Sequence, residues 1–506
     1  MPVRVSILGN DPAAAAPPPA YARDLNLDQV VDALQASRPE HPIAGFYWSL
    51  LPDADAVRYR QEVFADLEDA DVRAAADRFT EAMGTMRRRL DAGHASHIPW
   101  QARRWQLDAV VGYCRAVQRL ATDLDAGPVR SRGLLGIRAH VTSSVSAGAL
   151  PALRDGAVAL LADLDAVRYA VLIRGTRLTI GPYDDEDDYS AQVADTFARF
   201  RQGEVADHHS TGDAGPMNRV EAGVLDQVAR LHPELFGRLA AFCATNADFV
   251  DDTLRRFDLE LQFYLAYLDL LAPLRRAGLA TCLPAVSAES KDTRAEGTYD
   301  LALAATLVRT RVPVVVNDLR LTGAERVLVV SGPNQGGKTT LARTFGQLHH
   351  LAGLGCPVPG TGVRLFLADA VFTHFEREED LDTLAGKLED DLVRIHAILA
   401  EATGRSVIVL NEIFASTTVQ DAAWLGTDIL RRIVELDALC LCVTFLDELS
   451  RLGPATVSVV STVDPVDPAR RTYRLVRRRA DGRAYARAVA EKYGLTYETL
   501  KGRVGR

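Results

Sequence analysis

A single glycine-rich turn constrains this chain more than any other feature. Gly332-Pro333-Asn334-Gln335-Gly336-Gly337-Lys338-Thr339 follows the apolar run Val327–Val330 and precedes a helical pattern starting near Thr340. The spacing G-x-x-x-x-G-K-[ST], set between a strand and a helix, predicts a phosphate-binding loop. Glycines let main-chain N–H groups curl around phosphate oxygens, and the following helix presents its positive dipole end. Gly332, Pro333, Asn334, Gln335, Gly336, Gly337, Lys338, Thr339 and Thr340 are therefore the candidate nucleotide-binding residues. In that role Lys338 reaches the β- and γ-phosphates and the Thr339 hydroxyl ligates Mg²⁺, so a nucleoside triphosphate with Mg²⁺ is the expected occupant.

Such a site wants a second strand that ends in an acidic group. Val407-Ile408-Val409-Leu410-Asn411-Glu412 supplies one, with Glu412 as the candidate catalytic base that orients water at the γ-phosphate. Asn411, with Thr339, is the candidate metal contact. An Asp there would bring negative charge to the metal, whereas Asn brings a neutral amide, leaving Mg²⁺ mostly to Thr339 and the phosphates. Further apolar runs at Ser406–Leu410, Leu439–Thr444 and Val457–Ser461 alternate with helical stretches. The pattern predicts an α/β P-loop domain over 301–506 with a mostly parallel sheet. Cys440 and Cys442 lie in one of those runs, which suits packing better than metal binding.

The remaining chain is organised differently. Residues 1–24, with the run Asp11-Pro-Ala-Ala-Ala-Ala-Pro-Pro-Pro-Ala20, read as a flexible leader. A helical region over 25–165 follows. A small strand-bearing insertion is expected over 166–217. In it Tyr169–Ile180 reads as two strands around Arg174-Gly175, followed by the acidic run Asp184–Asp188 and a polar loop near 201–217 with a solvated His208-His209 pair. Helix returns over 218–300, where Phe257, Leu261, Tyr264, Leu265, Leu268 and Leu271 form one apolar stripe that Pro273 ends. Lys and Arg number 58 against 67 Asp and Glu, a net charge of −9, so nucleic-acid contact requires a local basic patch. No apolar run reaches the roughly 18 residues of a membrane span, no secretory signal is evident, and six scattered cysteines do not make a disulfide scaffold. A cytoplasmic protein without a membrane partner is expected.

Further segments make the loop more specific. Gly332-Pro-Asn-Gln-Gly-Gly-Lys-Thr-Thr340 resembles the nucleotide loop of the MutS family of DNA mismatch-repair ATPases, which are of the ABC type. Similarity continues through His350–Pro359, Asp369-Ala-Val-Phe-Thr373, Glu401-Ala-Thr403, Asn411-Glu-Ile413 and Asp421. Ala484–Val504 resembles the family's closing helix-turn-helix, and Asp53–Asp66 more weakly resembles the start of its helical lever. The resemblance implies ATP as nucleotide and a two-fold homodimer whose sites are completed in trans. It further implies levers at 25–165 and 218–300, a clamp in the place of 166–217, and DNA as a partner. An ATP-switched protein that grips another protein, never DNA, is the alternative. No second constellation suggests a small-molecule enzyme.

The chain also departs from the family. Asn411 stands for the usual Asp, and Phe445 for a His that senses the γ-phosphate. Phe414-Ala-Ser-Thr-Thr418 replaces a Gly/Arg-rich dimer contact, and Val314–Val316 the region of an adenine-stacking aromatic. Gly386-Lys387-Leu-Glu389 stands for a Ser/Thr-rich trans loop, where Lys387 is either a charge-assisted substitute or a solvated lysine. A slow ATPase is the resulting expectation. Phe79-Thr80-Glu81 lies in a helical stretch and not in an exposed loop, so mismatch reading of the usual kind is not expected. Arg87-Arg88-Arg89, Arg470-Arg471 and Arg477-Arg478-Arg479 are the basic clusters.

Overall fold

The computed structural model describes residues 5–9, 16–146, 149–184, 217–376, 386–414, 416–464, 470–480 and 501. The chain divides into two compact units. One comprises Met1–Val5, Asp69–Val129 and Leu134–Asp258, the other Ser6–Glu68, Arg130–Gly133 and Leu259–Arg506.

The first unit is mainly helical because its sequence repeats apolar residues three and four apart with few turn formers. Helices Ala70–Ala95 and Pro99–Ala126 are its longest and pack along one another. Val72, Ala76, Phe79 and Met83 are buried on the first, and Leu107, Val110, Cys114 and Val117 on the second. Asp69 caps the first by accepting from the Asp71 and Val72 N–H groups. Phe79 is buried against Phe257, ring centroids 5.5 Å apart, so its ring belongs to the core and not to an exposed wedge. Arg87, in the triple-arginine run, pairs with the buried Asp258. Strands β1 (Tyr169–Arg174) and β2 (Arg177–Pro182) form an antiparallel hairpin. It turns through Gly175 and Thr176, and Gly175 takes the left-handed φ of 61° that such a turn demands. Asp184 is the one described residue of the acidic run. His208-His209 and most of the loop near 201–217 lie outside the described residues.

The second unit opens with a correction. Part of the expected leader is packed into this unit: Ser6, Ile7, Leu8, Tyr21 and Ala22 are buried, whereas Pro17, Pro18, Ala20 and Arg23 are exposed and residues 1–4 and 10–15 lie outside the described residues. The Glu260 carboxylate accepts from the Ser6 hydroxyl and the Ile7 N–H, both at 2.8 Å. Alanine and proline composition suggested flexibility, but these anchors lie more than 250 residues away in sequence. A second correction concerns Pro273. The helix Asp252–Arg276 runs through it, since proline adopts helical φ and its carbonyl still accepts from the Ala277 N–H. Leu261, Tyr264, Leu265, Leu268 and Leu271 of its stripe are buried as expected.

Twelve further strands lie among the described residues of this unit. They are β3 (Thr281–Cys282), β4 (Ala285–Ser287), β5 (Thr293–Thr298), β6 (Asn317–Leu321), β7 (Val327–Ser331) and β8 (Val358–Pro359). Then follow β9 (Val363–Phe366), β10 (Val371–Phe375), β11 (Val407–Asn411), β12 (Leu439–Val443), β13 (Thr456–Val463) and β14 (Arg471–Arg477). The main sheet has the order β10-β11-β12-β7-β13-β14, parallel throughout except for β14, which is antiparallel to β13. A smaller sheet, β4-β9-β5-β6, lies beside it in the unit, with β6 near β14. Parallel strands are covered on both faces, which is why β7, β11 and β12 read as unbroken apolar runs. On one face Val327, Val329, Ile408, Leu410, Cys440 and Cys442 pack against Ile395, Ile429 and Ile433 of the helices Lys387–Glu401 and Val419–Glu435. The other face meets the helix Lys338–Gly353. All six cysteines are free thiols. Among the described residues no single helix is long and apolar enough to cross a membrane.

That covering helix carries two fully buried histidines with a consequence for pH. His349 lies near the Phe366 carbonyl, and His350 near the Tyr47 carbonyl and the Tyr21 hydroxyl. Burial lowers both imidazoles to about 4. The unfolded chain, with ordinary histidines near 6.5, binds more protons between those values, so the fold is favoured in full above about pH 6.5 and loses stability as pH falls toward 4. Each histidine contributes a slope of up to about 1.4 kcal/mol per pH unit in that window. Urea midpoints taken from pH 7.5 to 5 are expected to drop accordingly, and a flat profile would show that these imidazoles titrate normally in the fold.

Candidate functional site

The glycine-rich turn leaves the carboxyl end of β7 and enters the helix Lys338–Gly353. In open α/β sheets the carboxyl ends of the strands are where ligands bind. Glycine is required here for two separate reasons. Gly332 and Gly337 have φ of 119° and 89°, which side chains rarely adopt. Gly336 is excluded sterically, because a Cβ there would lie 2.2 Å from Ser461 Oγ of β13. Ser461 instead donates its hydroxyl to the Gly336 carbonyl at 2.7 Å, fastening the turn to the sheet.

Lys338 is 5% exposed and donates to the Gly332 carbonyl at 2.9 Å and to Asn334 Oδ1 at 3.1 Å. Its Nζ is also 3.7 Å from Glu412 Oε1. Burial holds the ammonium below the usual lysine value, and Glu412 partly offsets this. Thr339 donates its hydroxyl to Asn411 Oδ1 at 3.1 Å. Asn411 is the last residue of β11, and the Glu412 N–H is held by the Val443 carbonyl at 2.9 Å. Residues 72 apart in sequence thus converge on one point because β7, β12 and β11 are consecutive in the sheet.

The turn opens onto a cavity of about 590 Å³. Asn334 through Thr340 and Glu412 form one side of it. Leu303, Leu307, Val312, Val314 and Val315 form an apolar wall, joined by Tyr299 and Tyr473. Gly332, Pro333 and Asn411 do not line this cavity, and Asn411 reaches it through Thr339. Gln335, Glu412 and Tyr473 all take left-handed φ, of 59°, 54° and 58°. Such strain persists where the surroundings over-determine it, commonly at binding sites.

Sequence reading missed Ser461, Tyr299, Tyr473 and Arg471. Arg471 belonged to a run taken as a basic cluster, and nothing local marks the others, since the turn and the β13–β14 hairpin meet across more than a hundred residues. Tyr473 sits where the pairing of β13 and β14 shifts register, between Ser461↔Leu475 and Val463↔Arg471. It is half-exposed and supplies an aromatic ring that the segment Val314–Val316 lacks.

Other singled-out residues have structural partners. Asp369 accepts from the hydroxyls of Thr403 and Ser406, Thr373 donates to Asp24, and Asp421 accepts from the Thr418 hydroxyl. Arg477 pairs with Glu325. Phe445 is 50% exposed at the end of β12. Gly386 precedes the helix Lys387–Glu401. The Lys387 side chain lies outside the described residues, as does Ala484–Val504 apart from Lys501.

Residues 328–500 match the family model described as MutS domain V. The chain is 34% identical over 197 residues to a protein named "Endonuclease MutS2" from Thermomicrobium roseum, covering 38% of this chain and 24% of that one. A protein of the same name from Thermus thermophilus is 32% identical over 193 residues, 37% of this chain and 25% of the relative. "DNA mismatch repair protein MutS" from Erythrobacter litoralis is 31% identical over 192 residues, 37% and 22% respectively. The chain thus spans about a quarter of the length of the curated relatives it matches. The turn, the second strand and most of the parallel sheet fall inside the matched segment, so the C-terminal α/β domain of this chain is similar to MutS domain V.

Proposed function

We propose that this protein is a dimeric, slowly hydrolysing ATPase that couples its nucleotide state to DNA binding without the family's usual mismatch reader. The observation that carries the reading is the convergence of Lys338, Thr339, Asn411 and Glu412 on one cavity mouth, with the glycine turn braced behind them. The turn is the phosphate-binding loop, Lys338 the contact to the β- and γ-phosphates, and the apolar wall with Tyr473 the place for the base. Mg²⁺ fits the hard oxygen donors of Thr339 and Asn411, which stand side by side, and when bound it neutralises phosphate charge. Glu412 acts as the base that orients water. Residues 25–165 and 218–300 serve as levers, 166–217 as the clamp and 301–506 as the motor, as the family resemblance implies. DNA is favoured as partner over protein because the similar proteins are named for endonuclease activity and DNA mismatch repair.

Slow turnover follows from two departures from the family pattern, at Asn411 and Phe445. Asn411 brings no charge to the metal, and the half-exposed Phe445 cannot donate to a phosphate. If each withholds about 1.4 kcal/mol of transition-state stabilisation, each slows hydrolysis about tenfold. Asn411→Asp is therefore expected to raise steady-state ATP turnover about tenfold. Turnover at the rate of ordinary ABC-type ATPases, unchanged by that substitution, would contradict the slow-switch reading.

A further inference from the structure

The glycine turn is gripped by a second cation besides Lys338. Arg471 of β14 donates from Nε to the Asn334 carbonyl at 3.1 Å, while the Asn334 side-chain oxygen accepts from Lys338 Nζ at 3.1 Å. One residue at the tip of the turn therefore holds both cations, one through its main chain and one through its side chain. The guanidinium is close enough for its charge to add to the lowering of the Lys338 ammonium that burial begins.

The position of Arg471 is set by the sheet. It pairs with Val463 across the β13–β14 ladder, and its neighbour Thr472 exchanges hydrogen bonds with Thr462. Both cations bear on Asn334 at the tip of the turn, and each is attracted to an anion entering there. A planar guanidinium also donates to charged phosphate oxygens more strongly than to a single neutral carbonyl.

We propose that Arg471 is a γ-phosphate contact supplied in cis, exchanging the Asn334 carbonyl for a terminal phosphate oxygen when a triphosphate enters the turn. This rests on the nucleotide-site reading above. A diphosphate stops short of the exchange, so Arg471 is the residue by which the site distinguishes ATP from ADP.

The test uses the full chain with Mg²⁺ and measures binding of ADP and of a non-hydrolysable ATP analogue by calorimetry, for wild type, Arg471→Ala and Arg471→Lys. Arg471→Ala is expected to weaken the analogue about tenfold while leaving ADP within about twofold, and Arg471→Lys to recover part of the loss. Equal loss for both nucleotides would make Arg471 a brace for the turn, and no loss for either would remove it from the site. Both outcomes overturn the proposal while leaving the nucleotide site intact. A wild-type chain that binds neither nucleotide would instead overturn the nucleotide-site reading itself, and this inference with it.

Discussion

Lys338→Ala is expected to abolish ATP binding, weakening it by at least about a hundredfold. The ammonium is almost fully buried, and in the nucleotide-free turn it is satisfied by the Gly332 carbonyl, Asn334 Oδ1 and the nearby Glu412 carboxylate. A triphosphate replaces those partners with stronger ones, because phosphate oxygens carry full charge. Alanine removes the cation and leaves Glu412 beside an approaching polyanion. The readout is thermal unfolding with and without Mg²⁺ and ATP. A ligand at a hundred times its dissociation constant stabilises the folded state by about 2.7 kcal/mol, a shift of several degrees that the variant should lose. If Lys338→Ala shows the same ATP-dependent shift as wild type, the glycine turn is not a triphosphate site and the proposed function fails.

Glu412→Gln carries the second large effect, and it separates chemistry from binding. The amide keeps the size of the carboxylate and its place at the end of β11, but it cannot accept a proton from water. Hydrolysis should fall by about 10²–10⁴, while ATP affinity changes by no more than a few-fold. Loss of the negative charge 3.7 Å from Lys338 even favours the nucleotide slightly. The variant therefore accumulates in its ATP-bound form, which makes it the right protein for testing the partner. Retention of duplex, branched or single-stranded DNA by that form, weakening as salt rises in proportion to the phosphates neutralised, would support the DNA reading. If the ATP-bound variant holds none of these at low salt, DNA is excluded and the protein-partner alternative takes its place. Hydrolysis that survives at the wild-type rate would remove Glu412 from the catalytic role.

The main sheet was legible in the sequence because parallel strands covered on both faces must be continuous apolar runs, and Val327–Val330, Ser406–Leu410 and Leu439–Thr444 are such runs. Glu412 could be read in the same way, as the acidic residue just beyond such a run. The extent of the helix Asp252–Arg276 and the packing of Tyr21 and Asp24 were not legible. Proline and alanine content describe local freedom; the packing of Tyr21 and Asp24 was decided by partners far away in the chain, His350 and Thr373, whereas the helix continues past Pro273 because its carbonyl keeps a local bond to the Ala277 N–H.

A sequence alone specifies which atoms can bind a phosphate when the requirement is local: a residue without a side chain where φ is left-handed, a lysine at the start of a helix, a hydroxyl one residue later. Those are properties of consecutive residues, and Gly332–Thr339 displays all of them. What stands around that turn depends on strand order and on register. Ser461, Arg471 and Tyr473 reach it only because β13 lies beside β7 and because the β13–β14 pairing slips between Ser461 and Val463. Neither fact has a local signature, since hydrogen bonds between strands are made by backbone groups that every residue shares.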